Sequence, residues 1–265
     1  MIKLFVAGVG IYAPGLSGWE QARAVFAGAT PYVSHELPRL QPALLAPALR
    51  RRTSTHVRLA VEVAAQAIAH AAHDPKTLAS VFVSSEADGE TTHYICEEVS
   101  LPAPQVSPTH FHNSVNNTAA GYFSMAVGSS MPSTSIACWH ELIATGLIEA
   151  AAQLAAGTDV LLVMNDVPLP APLHEHHAFT APFGVALVLT REHDQHSMAS
   201  LSFTGVPVAG AATVMPDPGL ESLRRGNPAA QALPLLAAIA TRAHSTVALP
   251  WFDARVLAIE VAACA

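Results

Sequence analysis

The sequence offers four places where residue type and spacing could support chemistry. Cys138 ends the apolar segment Ser133-Thr134-Ser135-Ile136-Ala137 and precedes a helical one. A thiol at a helix amino terminus has its thiolate favoured by the macrodipole, as a nucleophile requires. The alternative is that its sulfur packs as a small apolar group at the end of a buried strand. Cys96, on an amphipathic helix, and Cys264, at the chain end, have only the packing role. His174-Glu175-His176-His177 brings good zinc ligands together. Neighbours in an extended segment point to opposite sides, however, and Pro168, Pro170 and Pro172 deny the helix that would bring such ligands onto one face. A solvated loop without metal is expected there. Ser107-Pro108-Thr109-His110-Phe111-His112-Asn113-Ser114 is a polar and aromatic loop of the kind that shapes pockets. Its two histidines have no acidic partner nearby, so they are expected to line a pocket rather than transfer protons. Gly8-Val9-Gly10 opens no helix directly, which makes it a tight turn after the first strand and implies no dinucleotide cofactor.

These residues must be held by elements, and the pattern of the chain predicts an α/β fold. Residues 2–9 read as a buried strand and 18–28 as a helix; 31–52 are Pro-rich and irregular. Ser54 or Thr55 caps a helical run in which Val57, Ala60, Val61, Ala64, Ala65 and Ile68 recur at three- and four-residue spacing, stopped by Asp74-Pro75. Strands follow at 79–84, 133–137, 159–164 and 183–190, with helices at 91–99, 114–127 and 141–156. Strands alternating with helices predict a mostly parallel sheet covered on both faces. In the last third, 199–207 and 255–263 read as strands, 228–243 as a helix and 208–227 as a surface loop. The chain divides at about residue 195 into a main domain, 1–195, and an extension, 196–265, that packs on it.

Composition narrows the function. Thirteen Lys+Arg against 20 Asp+Glu give a net charge of −7, which argues against a nucleic-acid surface. Three scattered cysteines without a CxxC motif read as free thiols of a reducing, cytoplasmic compartment, and the amino terminus carries no signal-peptide pattern. Charged residues make up 12%, about half the usual share. The deficit is concentrated in the 42 residues from 99 to 140, which hold no Asp, Glu, Lys or Arg. Pro102, Pro104, Pro108 and Pro132 exclude a membrane span there. A surface so short of charge is expected to be buried against another subunit.

The order of elements and several residues together resemble the amino-terminal half of a β-ketoacyl synthase of the thiolase-like superfamily. Val6 through Ile11 with Pro14, Trp19 and Arg51-Arg52 are similar to that family's opening segments. Ser107-Pro108, Asn117-Thr118-Ala119-Ala120-Gly121, Gly128, Pro132 through Ala137, Ala150-Ala151 and Gly157 through Leu161 then follow the family's spacing without gaps up to 157. The resemblance implies a three-layer, thiolase-like half with a shortened second half. It also implies that the nucleophilic cysteine should stand eight residues after Pro132, where this chain has His140. Cys138 is two residues early, and the family's two histidines and lysine for decarboxylation have no counterpart in the short remainder.

A chain of this kind is similar to the chain length factors that accompany active ketosynthases, and most of all to the truncated ones of aryl polyene clusters. The resemblance implies a non-catalytic partner that forms a heterodimer with an active ketosynthase, meets acyl carrier protein through that partner and needs no cofactor or metal. His110, Phe111, Ser114, Val115, Asn117, Ser135 and His140 would line the acyl pocket or the interface. The competing expectations are a self-sufficient acyl-transferring enzyme using Cys138 with His110 or His112 as base, and a metal-dependent hydrolase built on 174–177.

Overall fold

The computed structural model describes residues 1–139, 141–175 and 179–264. β1 (Ile2–Tyr12) is buried at every position from Val6 onward. It is followed by α1 (Trp19–Phe26), a single-turn α2 (Pro47–Arg50) and α3 (Thr55–Ala71). Ser54 caps α3 by accepting the Val57 N–H at 3.4 Å. The helix lies so close on β1 that a Cβ at Gly8 would fall 2.2 Å from the Ala67 carbonyl oxygen, and one at Gly10 2.1 Å from that of Val63. The glycine pair therefore serves close packing of strand and helix rather than a turn.

The chain continues through β2 (Ala79–Ser84), α4 (Gly89–Ser100), α5 (Pro108–Asn113), α6 (Thr118–Val127), β3 (Ser133–Ala137), α7 (Leu142–Ala155), β4 (Val160–Asp166) and β5 (Phe183–Thr190). It ends with β6 (Ala199–Phe203), the two-residue β7 (Val208–Ala209), α8 (Pro218–Arg225), α9 (Leu233–Thr241), β8 (Ser245–Trp251) and β9 (Arg255–Ala263). Among the described residues these strands form one sheet in the order β3-β2-β4-β5-β1-β6-β9-β7, with β8 also paired to β9. α3 and α6 cover one face, and α7, α1 and α9 the other, each with its own buried apolar cluster.

The α/β layering is as expected, but the sheet is mixed rather than mostly parallel. Only β3-β2-β4 run parallel, where α4–α6 and then α7 supply the long crossovers that parallel strands require. β4 reaches β5 through 167–182, which contain no α-helix among their described residues, so the chain folds back antiparallel. β1 then enters between β5 and β6 and is antiparallel to both. The strands after residue 195 extend this same sheet.

Two further differences concern the functional region. The helix expected over 114–127 begins only at Thr118, as α6, and the loop expected over 107–114 is mostly the helix α5. Residues 114–117 turn between them, and the Thr118 hydroxyl donates to the Asn113 and Val115 carbonyls at 2.8 and 2.6 Å. The loop expected over 208–227 contains α8, which Asp217 caps by accepting the Leu220 N–H at 2.9 Å.

Candidate functional site

β3 is the edge strand at one end of the sheet. Ser80 N–H donates to Pro132 O and Cys138 N–H to Ser84 O, which sets the alternation: even-numbered residues bond to β2 and Ser133, Ser135 and Ala137 turn their backbone groups outward. Ser135 is half-buried, and its carbonyl accepts from Asn116 Nδ2 at 3.3 Å. The turn between α5 and α6 thus lies against the open edge of the strand.

α5 and the turn after it carry most of the expected pocket residues. Phe111 is 69% exposed and Val115 53% exposed, while Ser114 and Asn117 are also exposed. Met125 on α6 is exposed too, as are Val99 and Leu101 earlier in this charge-free stretch. His110 is half-buried, its ring 3.8 Å from that of Tyr94 on α4. What holds α5 is Asn113, which the sequence reading passed over. Asn113 is 2% exposed; its Nδ2 donates to Arg52 O at 2.7 Å, and its Oδ1 accepts from the Tyr122 hydroxyl at 3.1 Å. Asn beside an aromatic loop was the available signal, but its partners are 61 and nine residues away. Arg39, Arg50, Arg51 and Arg58 line adjoining hollows beside this region, at the amino end of α3.

Cys138 lies where β3 gives way to the turn before α7, half-buried and packed on the main apolar cluster. Burial pushes its thiol up from the ordinary value; the hydrogen bond with Thr145 opposes this, while the carboxylates of Glu141 and Asp166 add to it. This is the reverse of what thiolate chemistry requires. The His110 ring packs at a tilt of 51° against that of Tyr94, and His112 meets the ring of Tyr122 edge-on, so each has its own aromatic partner.

Asp166, at the end of β4, is 1% exposed and its pKa is raised to about 7, chiefly by burial. Ser85 N–H and Oγ each donate to Asp166 Oδ1 at 2.9 Å, and Oδ2 is buried without a partner. On the other face of the sheet, Asn165 Nδ2 donates to His56 Nδ1 at 3.1 Å, and burial pushes the His56 pKa down against the pull of Asp88. Neither carboxyl nor imidazole is available to a substrate at these positions.

Of the remaining expectations, His140 lies outside the described residues, as do His176 and His177. His174 and Glu175 fall in a short 3-10 turn. Cys96 is exposed, and Cys264 is buried as expected of a packing residue. No described helix is long and apolar enough to cross a membrane.

The model of the beta-ketoacyl synthase N-terminal domain matches residues 19–249, well past the boundary at 195. No curated protein matches the sequence. Among solved structures, the fold is similar to a chain of a ketosynthase in complex with its chain length factor from Xenorhabdus doucetiae, at 22% identity and a TM-score of 0.76, covering 98% of this chain and 100% of that one. It is also similar to the ishigamide ketosynthase/chain length factor, at 13% identity and a TM-score of 0.73, with both chains covered in full. A third likeness, at 12% identity and a TM-score of 0.69 over 99% of each chain, is to a chain of the complex between a type II PKS acyl-carrier protein and its ketosynthase bound to the hexaketide. With most of its length matched and the fold shared, the chain belongs to the beta-ketoacyl synthase N-terminal domain family.

Proposed function

We propose that this chain is a non-catalytic, chain length factor-like partner of an active β-ketoacyl synthase and bounds the pocket in which the growing acyl chain lies. The observation that carries the reading is the setting of Cys138: a half-buried thiol packed on the apolar core, pushed up by that burial, at a position two residues from where the family's nucleophile stands. The resemblance puts His140 at that position, and an imidazole cannot supply the thioester that condensation needs.

The other half of the reading is the surface. Phe111, Val115 and Met125 are exposed apolar groups beside an open strand edge, within the stretch that lacks charge, and such a surface is desolvated at little cost when a partner covers it. On this reading a ketosynthase pairs with β3, and α5 reaches the partner's acyl cavity with His110, Phe111, Ser114, Val115, Asn117 and Ser135 at or near its wall. The carrier protein is taken up through the partner. The arginine-lined hollows beside α5 favour the approach of an acidic carrier to the assembly.

The test is co-expression with an active ketosynthase, followed by capture and product analysis. The expected result is a stable heterodimer in which Phe111→Ala and His110→Ala lengthen the products without releasing the partner. Each extra methylene admitted is worth about 0.8 kcal/mol of burial. Unchanged products from a dissociated complex would assign these residues to packing and remove the pocket role.

A further inference from the structure

A cavity lies away from β3, on the face of the sheet that carries α1 and α9, with α9 packed on β8 and β9. It measures about 630 Å³, within the range of small-molecule sites. Its walls are Val25 and Phe26 of α1, Met215 and Leu220 before and on α8, and Ala237 and Ala238 of α9. Tyr32 closes one side, wedged between two glycines: a Cβ at Gly15 would lie 2.9 Å from its ring and one at Gly219 2.8 Å. The wall at Met215 is also fixed. Glu221 accepts from the Met215 N–H at 2.9 Å and from Arg224 Nε and Nη2 at 2.7 Å each, and its carboxyl is held down at about 2.

Three of the polar side chains on these walls are already engaged. The Tyr32 hydroxyl donates to Pro14 O at 3.0 Å, Asp217 caps α8, and the Thr241 hydroxyl donates to carbonyls of its own helix. No Lys or Arg lines the cavity, whereas the carboxylate of Asp217 does. Val33 and Val214, next in sequence to Tyr32 and Met215, are exposed and continue the apolar lining outward.

We propose that this cavity is a binding site for a small neutral apolar molecule, a hydrocarbon chain or fused ring without an acidic head. A preformed apolar hollow gains affinity from burial alone, and Asp217 discriminates against an anion of the same shape. The site is independent of the proposed partner role, because it requires neither a ketosynthase nor Phe111.

Binding of 1-dodecanol and of dodecanoate to the full chain, each read by displacement of Nile red, tests this. Dodecanol is expected to bind at least tenfold more tightly than dodecanoate. Ala238→Phe fills the floor, and Thr241→Phe obstructs the mouth from an exposed position on the last turn of α9, where folding is not at stake. Each is expected to weaken dodecanol binding at least tenfold, the loss of about two buried methylenes, with the circular dichroism spectrum unchanged. Asp217→Asn keeps the cap and should narrow the preference for dodecanol. Dodecanol binding that persists in both folded filling variants, or an absence of binding in the natural chain, overturns the proposal.

Discussion

Two buried acids of different fate frame the chemistry at the residue scale. Cys138 is expected to react slowly with iodoacetamide near neutral pH, well behind the exposed Cys96, and to form no adduct with an acyl thioester donor; peptide mass spectrometry reads both. A stable acyl adduct lost in Cys138→Ser would restore the enzyme reading. Asp166 makes a prediction of the opposite kind, about stability. Its folded pKa of about 7 stands above the ordinary 3.8, so the folded state holds a proton that the unfolded chain has released. The stability this provides is complete below about pH 4 and is lost as pH rises through about 7, by up to roughly 4 kcal/mol. Asp166→Asn keeps an oxygen for the two Ser85 donors and places an N–H₂ where Oδ2 lacks a partner. The urea midpoint of the natural chain should therefore fall relative to that of the variant between about pH 5 and about pH 8, because both share the opposite contribution of buried His56, whose lowered pKa makes stability rise with pH. Two midpoints that run parallel across that window would show that Asp166 ionises normally.

At the scale of elements, the alternation along β3 separates folding from assembly. Ser135 turns its N–H away from β2, so Ser135→Pro should leave the monomer's thermal midpoint within a few degrees while abolishing capture of a ketosynthase. Thr134→Pro removes a bond to β2 and should cost about 1–3 kcal/mol in the monomer itself. Loss of capture with Thr134→Pro alone would move the interface away from this edge. The same strand shows what local pattern carries. β3, β5 and β9 stand where apolar runs end at Pro, Gly or charge, and α3 begins where Ser54 announces a cap. β8 escaped because Pro250 and a half-exposed alternation hide a strand that β9 defines from across the sheet. α8 escaped because its Pro and Gly read as loop, although Asp217-Pro218 was a start signal. Strand direction was not legible at all, since β4 and β5 look alike whether or not a helix joins them. At the site, exposed Phe111 and Val115 followed from the missing charge. The hold of Asn113 on Arg52 and the closeness of Asp166 to Cys138 depend on contacts far apart in sequence, which no local pattern encodes.

For the whole molecule, the uneven spread of charge sets how an assembly responds to salt. An interface built from the stretch 99–140 holds no formal charge from this chain, so raising salt from about 50 to about 500 mM should shift the heterodimer's Kd by less than about threefold. A tenfold weakening would instead place the arginines beside α3 at the contact. The sheet order also sets a timetable for synthesis. β1 is made long before its neighbours β5 and β6, which begin at residues 183 and 199. At roughly 5–20 residues per second, a ribosome takes on the order of 10–40 seconds to supply them. Throughout that interval an apolar, β-branched segment emerges with both edges unsatisfied and its covering helix without a sheet to rest on. The yield of this protein in a cell is therefore expected to depend on whether β1 is sheltered until the far strands arrive, and not on the stability of the finished fold alone.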